Sequence, residues 1–224
     1  MNKTNYDQII QELSKFPQKP KLLAVTKYSE IAEINEAIKT GVTMIWENRI
    51  ESANEKFQWH PLSLGGRARE GVRNVEKHFI GTVQTKKLRK IAELFDVIES
   101  IGNIKQLQKV ESIGKDTQRK IRIFLQFNIS EEEQKSGFKM SEIPEIIEVY
   151  KKLEHSHIEW IMWMASQDNE EKVRKQFKKA KEIFEKLKKD IPTIKELSIW
   201  MSNDYIIALE EWATIVRIGS KIFK

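Results

Sequence analysis

The stretch "KLLAVTKYSEIAEINEAIKT", residues 21–40, joins a short apolar run to a longer amphipathic one and decides the fold. Its first part, "KLLAVT", is typical of a buried β-strand that ends just before Lys27. Its second part, "EIAEINEAIKT", places apolar residues at helical spacing. A strand followed at once by a helix is the repeating unit of sheets whose strands run parallel.

The same unit recurs along the whole chain. Further strand-like runs, each followed by a helical one, are "VTMIW" (42–46), "EKHFIGT" (76–82), "DVIES" (96–100), "IRIFLQFNI" (121–129), "HIEWIMWM" (157–164), "IKELSIWM" (194–201) and "ATIVRIG" (213–219). With a helix at Tyr6–Lys15 before them, about eight units predict an α/β fold, a single (β/α)8 TIM barrel with an extra N-terminal helix. An open doubly wound sheet is the alternative, but no Gly-x-Gly-x-x-Gly turn opens a helix here.

The barrel is expected to form one domain over residues 1–224, because no proline-rich or low-complexity linker divides the chain. Residues 58–74, "QWHPLSLGGRAREGVRN", are the one stretch that predicts a long loop.

Composition restricts the class of protein. The chain contains no cysteine, which excludes disulfides, thiolate metal sites and a cysteine nucleophile. It has no apolar run long enough to cross a membrane and no signal-peptide pattern at its start, so a cytoplasmic protein is expected. The net charge is +6, but the lysines alternate with glutamates at helical spacing, as in residues 172–190. That pattern is typical of solvated helix faces and predicts no specific nucleic-acid site.

Barrel enzymes and binding proteins place their functional groups at the carboxyl ends of the strands. Lys27 follows the first strand, where an amine either reaches solvent or can form a Schiff base with an aldehyde. Gly219 and Ser220 follow the last strand and offer backbone N–H groups to an anion, although Gly219 could equally be a helix cap. Ser202 lies on the neighbouring loop. An amine, an anion cradle and Arg217 together indicate pyridoxal 5'-phosphate as the ligand.

Six blocks resemble, in order, the signature blocks of the pyridoxal phosphate homeostasis proteins. They are "LLAVTK" (22–27), "ENRIE" (47–51), "HFIGTVQTKK" (78–87), "FLQFNISEEEQKSGF" (124–138), "LSIWMSND" (197–204) and "ATIVRIGSKIF" (213–223). This family has a barrel similar to the N-terminal domain of alanine racemase, the fold type III of pyridoxal phosphate proteins. The resemblance implies a cytoplasmic monomer that carries or buffers the cofactor, delivers it to apo-enzymes, and has no robust catalysis of its own.

The resemblance also implies roles for particular residues. Lys27 would form the aldimine with the cofactor, Asn48 would lie near it, and Met162 would pack in the barrel mouth. Arg217 would approach the pyridine nitrogen, and a permanent cation there weakens the ring as an electron sink. The residues expected to hold the phosphate are Ser202, Gly219 and Ser220. His78 is expected to pack or to donate hydrogen bonds, and no catalytic residue or metal ligand is predicted.

Two enzymatic alternatives use the same lysine. An amino-acid racemase would need a second base, which alanine racemases take from a tyrosine of another domain that this chain is not expected to contain. A Schiff-base aldolase would be expected to carry its lysine on a different strand. A cofactor carrier is therefore the preferred prediction.

The tryptophans depart from the family's pattern. Trp46, Trp160, Trp200 and Trp212 stand where the family has glycine, and Trp163 is a further candidate. The chain has only 9 glycines in 224 residues, against a usual level of about 7%, and 6 tryptophans. Some bacteria translate UGA as glycine and others as tryptophan, so one hypothesis is that these residues are glycine in the cell. The alternative is a diverged protein whose tryptophans have filled the cofactor pocket.

Overall fold

The computed structural model describes residues 1–58, 75–129, 136–164, 169–200 and 205–223. The strands are β1 (Lys21–Val25), β2 (Met44–Glu47), β3 (Glu76–Phe79), β4 (Val97–Ile101), β5 (Ile121–Phe127), β6 (Ser156–Met164), β7 (Glu196–Trp200) and β8 (Ile215–Ile218). The helices are α1 (Lys3–Ser14), α2 (Ile31–Thr40), α3 (Ile50–Gln58), α4 (Leu88–Leu94), α5 (Ile104–Thr117), α6 (Ile143–Tyr150), α7 (Glu170–Asp190), α8 (Tyr205–Glu210) and α9 (Ser220–Phe223).

The eight strands pair in sequence order, all parallel, and close into a barrel through β1 and β8. The closing register places Leu23 beside Arg217 and Ala24 beside Ile218. The predicted (β/α)8 barrel is therefore confirmed. Of the predicted long loop, residues 59–74 lie outside the described part of the chain.

Two apolar clusters form because successive strand side chains point to opposite faces. In β1, Leu22 and Ala24 point outward and pack under the helices, while Leu23 points into the barrel. The inner cluster consists of Leu23, Met44, Trp46, Val97, Phe124, Trp160, Met162 and Ile215. Burial of both clusters fixes the register of each strand, since a slip of one residue would exchange the two faces.

The predicted N-terminal helix is α1, which begins at Lys3 because the side chain of Asn2 accepts a hydrogen bond from the N–H of Asn5. It buries Tyr6, Ile9 and Leu13. The N–H of Asn2 donates to the carbonyl of Ile222 at 2.7 Å, so α1 is tied to the carboxy-terminal helix α9. Within the described residues, no helix combines the length and apolar character needed to cross a membrane.

Candidate functional site

Three of the predicted site residues follow neighbouring strands at the same edge of the barrel. Strand β1 lies between β8 and β2, with Ala24 beside Ile218 and Val25 beside Trp46. Lys27 comes two residues after the end of β1, Asn48 directly follows β2, and Gly219 directly follows β8. The fold therefore brings Lys27, Asn48 and Gly219 side by side at the carboxyl edge, where barrel proteins place their ligands.

The amine of Lys27 lies half-buried against aromatic rings at this edge. Its Nζ is 5.2 Å from the ring centre of Trp46 and 4.8 Å from that of Tyr28, a side chain that is itself 87% exposed. Aromatic faces attract an ammonium group, so the rings hold the amine over the barrel mouth.

A buried carboxylate fixes the backbone just before Lys27. Oε1 of Glu47 lies 2.8 Å from Oγ1 of Thr26 and 2.8 Å from Nζ of Lys56. Nζ of Lys56 also donates to the carbonyl of Thr26 at 2.8 Å. Because Glu47 is only 1% exposed, this group orders the turn that presents the amine of Lys27.

Gly219, at the edge beside Lys27, packs closely against β1. A Cβ atom added at Gly219 would lie 3.0 Å from Cβ of Val25 and 3.3 Å from its carbonyl oxygen, so glycine allows β8 to end against β1. Ser220, an exposed residue, begins α9. Ser202, the third residue predicted to hold a phosphate, lies outside the described residues.

Arg217 and Met162 point into the barrel beneath the edge. Met162 is fully buried in the inner cluster, and Arg217 is 1% exposed. The guanidinium donates from Nη1 to Oε2 of Glu99 at 3.4 Å and from Nη2 to the carbonyl of Trp163 at 3.3 Å. Burial lowers the pKa of Arg217 to about 10, and the carboxylate of Glu99 opposes that shift. The group therefore stays a cation at neutral pH.

Arg217 is one end of a line of charged side chains through the barrel interior. His78 is fully buried, with Nδ1 2.6 Å from Glu99 and Nε2 2.7 Å from Glu76. Glu76 also forms an ion pair with Arg122, which in turn donates to Glu159 at 2.8 Å. We call this set the charge chain; its members, in order, are Glu159, Arg122, Glu76, His78, Glu99 and Arg217.

The two carboxylates that bond His78 decide its charge. Burial alone would lower the pKa of His78, but the hydrogen bonds that its ring donates to the carboxylates of Glu76 and Glu99 outweigh burial and raise the pKa to about 9. Burial would likewise raise the pKa of Glu76, yet hydrogen bonds to His78 and Arg122 lower it to about 2. His78 is thus an imidazolium between two carboxylates at neutral pH.

The hydrogen-bonding role predicted for His78 is confirmed, but its partners were missed by the sequence reasoning. Glu99 lies in the otherwise apolar strand "VIESI", and Arg122 in "IRIF". A charged residue at an inward position of a buried strand is the signal that could have identified them.

A cavity of about 370 Å³ opens at the carboxyl ends of β3, β4 and β5. Its described lining is neutral and includes Ser100, Gln126 and Ser136. Gly81 forms one wall, and a Cβ atom there would lie only 2.1 Å from the carbonyl oxygen of Asn48. The wall of this cavity is therefore in contact with the backbone of a predicted cofactor-binding residue. Within the described ranges, no group of three or more His, Cys, Asp or Glu residues could hold a metal ion.

The structure separates the tryptophans into two kinds. Trp46, Trp160 and Trp163 are at most 5% exposed, and Trp160 stacks on Phe124 with ring centres 4.1 Å apart. The indole N–H groups of Trp46 and Trp163 are buried and find no hydrogen-bond partner among the described residues. Buried tryptophans usually have such a partner.

Trp212 is half-exposed and occupies a backbone conformation that favours glycine, with φ of 71°. It follows the end of α8, where its N–H donates to Leu209 and the N–H of Ala213 donates to Ala208. These two bonds form a Schellman motif at the end of the helix, and the position that Trp212 occupies in this motif is most often glycine. For Trp200 only the backbone, paired with Met164, is described.

Comparison with known proteins agrees with this geometry. The family model for the N-terminal domain of alanine racemase matches residues 3–224. A pyridoxal phosphate homeostasis protein of Haemophilus influenzae is 33% identical over 91% of this chain and 84% of its own length. This chain belongs to the family of pyridoxal phosphate homeostasis proteins. Another protein so named, from Escherichia coli, is 31% identical over 92% of this chain and 86% of its own.

Solved structures show the same barrel. PipY of Synechococcus elongatus with pyridoxal phosphate bound has a TM-score of 0.84 and 25% identity, covering 98% of this chain and 100% of its own. An alanine racemase of Clostridium difficile has a TM-score of 0.76 and 17% identity, and the match covers 98% of this chain but only 55% of the racemase.

The residues of the carboxyl edge fit pyridoxal phosphate chemically. A primary amine at Lys27 and a buried cation at Arg217 match an aldehyde and a ring nitrogen, while the missing side chain of Gly219 is explained by its packing against Val25. The indole of Trp46 packs under the Lys27 amine, its N–H has no partner among the described residues, and the cofactor does not require it.

Proposed function

We propose that this protein binds pyridoxal 5'-phosphate through Lys27 and serves cofactor homeostasis inside the cell, as a carrier or buffer. The observation that carries the proposal is the position of Lys27 at the carboxyl edge, between Asn48 and Gly219, in a chain of this family. Bound pyridoxal phosphate supplies an aldehyde that reacts with a primary amine and a ring that withdraws electrons from it.

The other predicted residues contact the phosphate, the ring and the ring nitrogen of the cofactor. Gly219, Ser220 and Ser202 offer donors to the phosphate, and Met162 packs below the ring. Asn48 lies beside the lysine, and Arg217 faces the ring nitrogen, which a permanent cation keeps unprotonated.

An unprotonated ring nitrogen favours a carrier over a catalyst, because the ring then withdraws electrons weakly. The names of the curated relatives support the same choice, since they refer to homeostasis and not to an enzyme. We include delivery to apo-enzymes, a cytoplasmic location and a monomeric state in the proposal as predictions.

Trapping with borohydride tests the binding site. The protein is incubated with pyridoxal phosphate, reduced, and analysed by intact mass and peptide mapping. We expect one adduct, on Lys27, which disappears in Lys27→Arg and persists in Lys39→Arg, a control on the exposed face of α2. Uptake spread over many lysines, or no uptake by either this chain or the version with glycine at the tryptophan positions, would reject the proposal.

The same experiment separates the two hypotheses for the tryptophans. A second version carries glycine at positions 46, 160, 200 and 212. An adduct in the glycine version alone supports glycine in the cell, whereas equal adducts in both versions mean that the tryptophans are tolerated. Transfer of the cofactor to an apo-enzyme, without racemisation of added amino acids, is the outcome expected of a carrier.

A further inference from the structure

The charge chain connects the amino-terminal end of the barrel to the proposed cofactor site. Arg122 is partly exposed near the start of β5, whereas Arg217 lies near the end of β8, two residues before Gly219. His78, which is fully buried, lies between these two arginines in the charge chain. Each contact joins opposite charges, so a change at one member alters the field at the next.

Charge balance in the chain depends on His78. With His78 protonated, three cations face three anions in alternation. If His78 were neutral, the carboxylates of Glu76 and Glu99 would each have one cationic neighbour within the charge chain instead of two. An uncompensated charge is costly at Glu99, which is fully buried and therefore not solvated by water.

Glu99 is the member through which His78 can act on the mouth of the barrel. It is fully buried, and it bonds His78 with Oε1 at 2.6 Å and Arg217 with Oε2 at 3.4 Å. The shorter contact is to His78. If His78 lost its charge, Arg217 would be the only member of the charge chain left to neutralise Glu99. The carboxylate of Glu99 would then draw the Arg217 guanidinium inward.

We propose that His78 is a positioning residue for pyridoxal phosphate, which acts through Glu99 to hold the Arg217 guanidinium at the barrel mouth. The proposal rests on the proposed function, because that function assigns Arg217 to the cofactor.

The titratable and charged groups around His78, among the described residues, come from a few strands. Glu76 faces it from β3 and Glu99 from β4, while the elements β5 and β6 contribute the rings of Phe124 and Trp160. Arg122 on β5 and Arg217 on β8 contact the two carboxylates, and Nζ of Lys21 on β1 lies 5.4 Å from the ring centre of Trp160 and pairs with Glu196. The proton on His78 is thus controlled by the charge chain itself.

A double-mutant cycle tests the route through Glu99. Cofactor affinity and absorbance are measured for the unaltered chain, His78→Gln, Glu99→Gln and the double variant. We expect each single change to weaken affinity by roughly tenfold and the double variant to be no weaker than Glu99→Gln alone. Independent, additive losses, or no loss in His78→Gln, would overturn the role of His78. Failure of both the unaltered chain and the glycine version to take up cofactor would instead overturn the proposed function; if only the glycine version takes it up, the cycle is measured in that version.

A second measurement needs no cofactor and no change at His78. The titration of the His78 ring is followed by NMR in the apoprotein, with the other histidine resonances as internal references. Removing the cation in Arg217→Gln should raise the pKa of His78, and Glu99→Gln should lower it. An unchanged His78 titration in both variants would overturn the coupling, even where His78→Gln fails to fold.

Discussion

At the scale of single residues, Trp212 carries the clearest conflict between side chain and backbone. A non-glycine residue in the left-handed conformation costs roughly 1–2 kcal/mol. The ammonium of Lys181 lies 4.7 Å from the centre of the Trp212 ring, and an exposed contact of this kind stabilises the folded state by about 0.5–1 kcal/mol. We therefore expect Trp212→Gly to raise the free energy of unfolding by about 0.5–1 kcal/mol.

Trp212→Ala is the matched control for that variant, because it removes the same ring but keeps a Cβ atom. Denaturant unfolding of both proteins separates the two effects. Stabilisation by glycine but not by alanine would show that the backbone conformation is responsible. Equal stability of the two variants would contradict this account.

Trp46 presents a different conflict, since its ring fills space beneath the Lys27 amine. Removing a buried tryptophan side chain costs about 3–5 kcal/mol, so Trp46→Gly should destabilise the apoprotein. A ligand that fills the vacated space returns part of that loss. We expect pyridoxal phosphate to raise the melting temperature more in Trp46→Gly than in the unaltered chain, as measured by calorimetry with and without cofactor.

Physical features that do not depend on the family's pattern distinguish positions 46, 163 and 212, and among them the positive φ of Trp212 directly favours glycine. Two of these indoles are buried without a hydrogen-bond partner for the N–H among the described residues, and the third has positive φ. Trp163 also packs edge-on against Phe177, with ring centres 5.2 Å apart. Trp160 is stacked on Phe124 and favours neither hypothesis. The gene decides directly, because UGG codons at these positions would mean that the tryptophans are real.

At the scale of elements, the ends of β2 and β3 are held together by the absence of a side chain at Gly81. A Cβ atom 2.1 Å from the carbonyl oxygen of Asn48 cannot be accommodated without moving that backbone. Overpacking of this kind costs typically about 1–3 kcal/mol. We expect Gly81→Ala to displace Asn48 and weaken cofactor affinity, as measured by titration of the cofactor absorbance.

Gly102→Ala is the control for this prediction, because its nearest contact would be 3.1 Å from Gly137, at the far side of the same cavity. It should leave cofactor affinity near that of the unaltered chain. An equal loss in both variants would show that the cavity as a whole, and not the position of Asn48, affects binding.

Helix α1 is attached to the barrel by a hydrogen bond from Tyr205 on α8 to Glu12. Burial, together with the carboxylate of Glu12, raises the pKa of Tyr205 to about 12. The unfolded chain loses this proton near pH 10, so the stabilisation is complete below about pH 10 and is lost as the pH rises towards 12. Unfolding measured across this range should show a decline that Tyr205→Phe reduces; identical profiles would exclude Tyr205 as its cause.

The order of elements was predictable from sequence because each strand and helix carries its own periodicity. "KLLAVT" and "EIAEINEAIKT" became β1 and α2 with shifts of a residue at their ends, set by caps such as the Glu30–Glu33 capping box. Lys27 and Gly219 were predictable as neighbours because closure of a barrel joins its first and last strands. The charge chain was not, since its members come from β3, β4, β5, β6 and β8, and strand alternation alone does not pair them.

At the scale of the whole molecule, the charge chain links stability to pH in two opposite directions. The pKa of Glu76, lowered to about 2, gives stability that is present above about pH 4.5 and is lost as the pH falls towards 2. The pKa of His78, raised to about 9, gives stability that is complete below about pH 6.5 and is lost as the pH rises through 9. The contribution of this pair should therefore be greatest between about pH 4.5 and 6.5.

Denaturant unfolding at a series of pH values checks this expectation, with two variants that each abolish one side of the profile and reduce the other. His78→Gln should lower stability at neutral pH, abolish the decline between about pH 6.5 and 9 and reduce the acid slope, because Glu76 loses one of its partners. Glu76→Gln should flatten the acid side and reduce the alkaline decline, because His78 loses one carboxylate. Glu185→Gln, on the exposed face of α7, is the charge-matched control and should keep both slopes. If the free energy of unfolding of His78→Gln still declines above neutral pH, another group is responsible for the decline. The apolar inner cluster would then stabilise the barrel interior without a contribution from the His78 imidazolium.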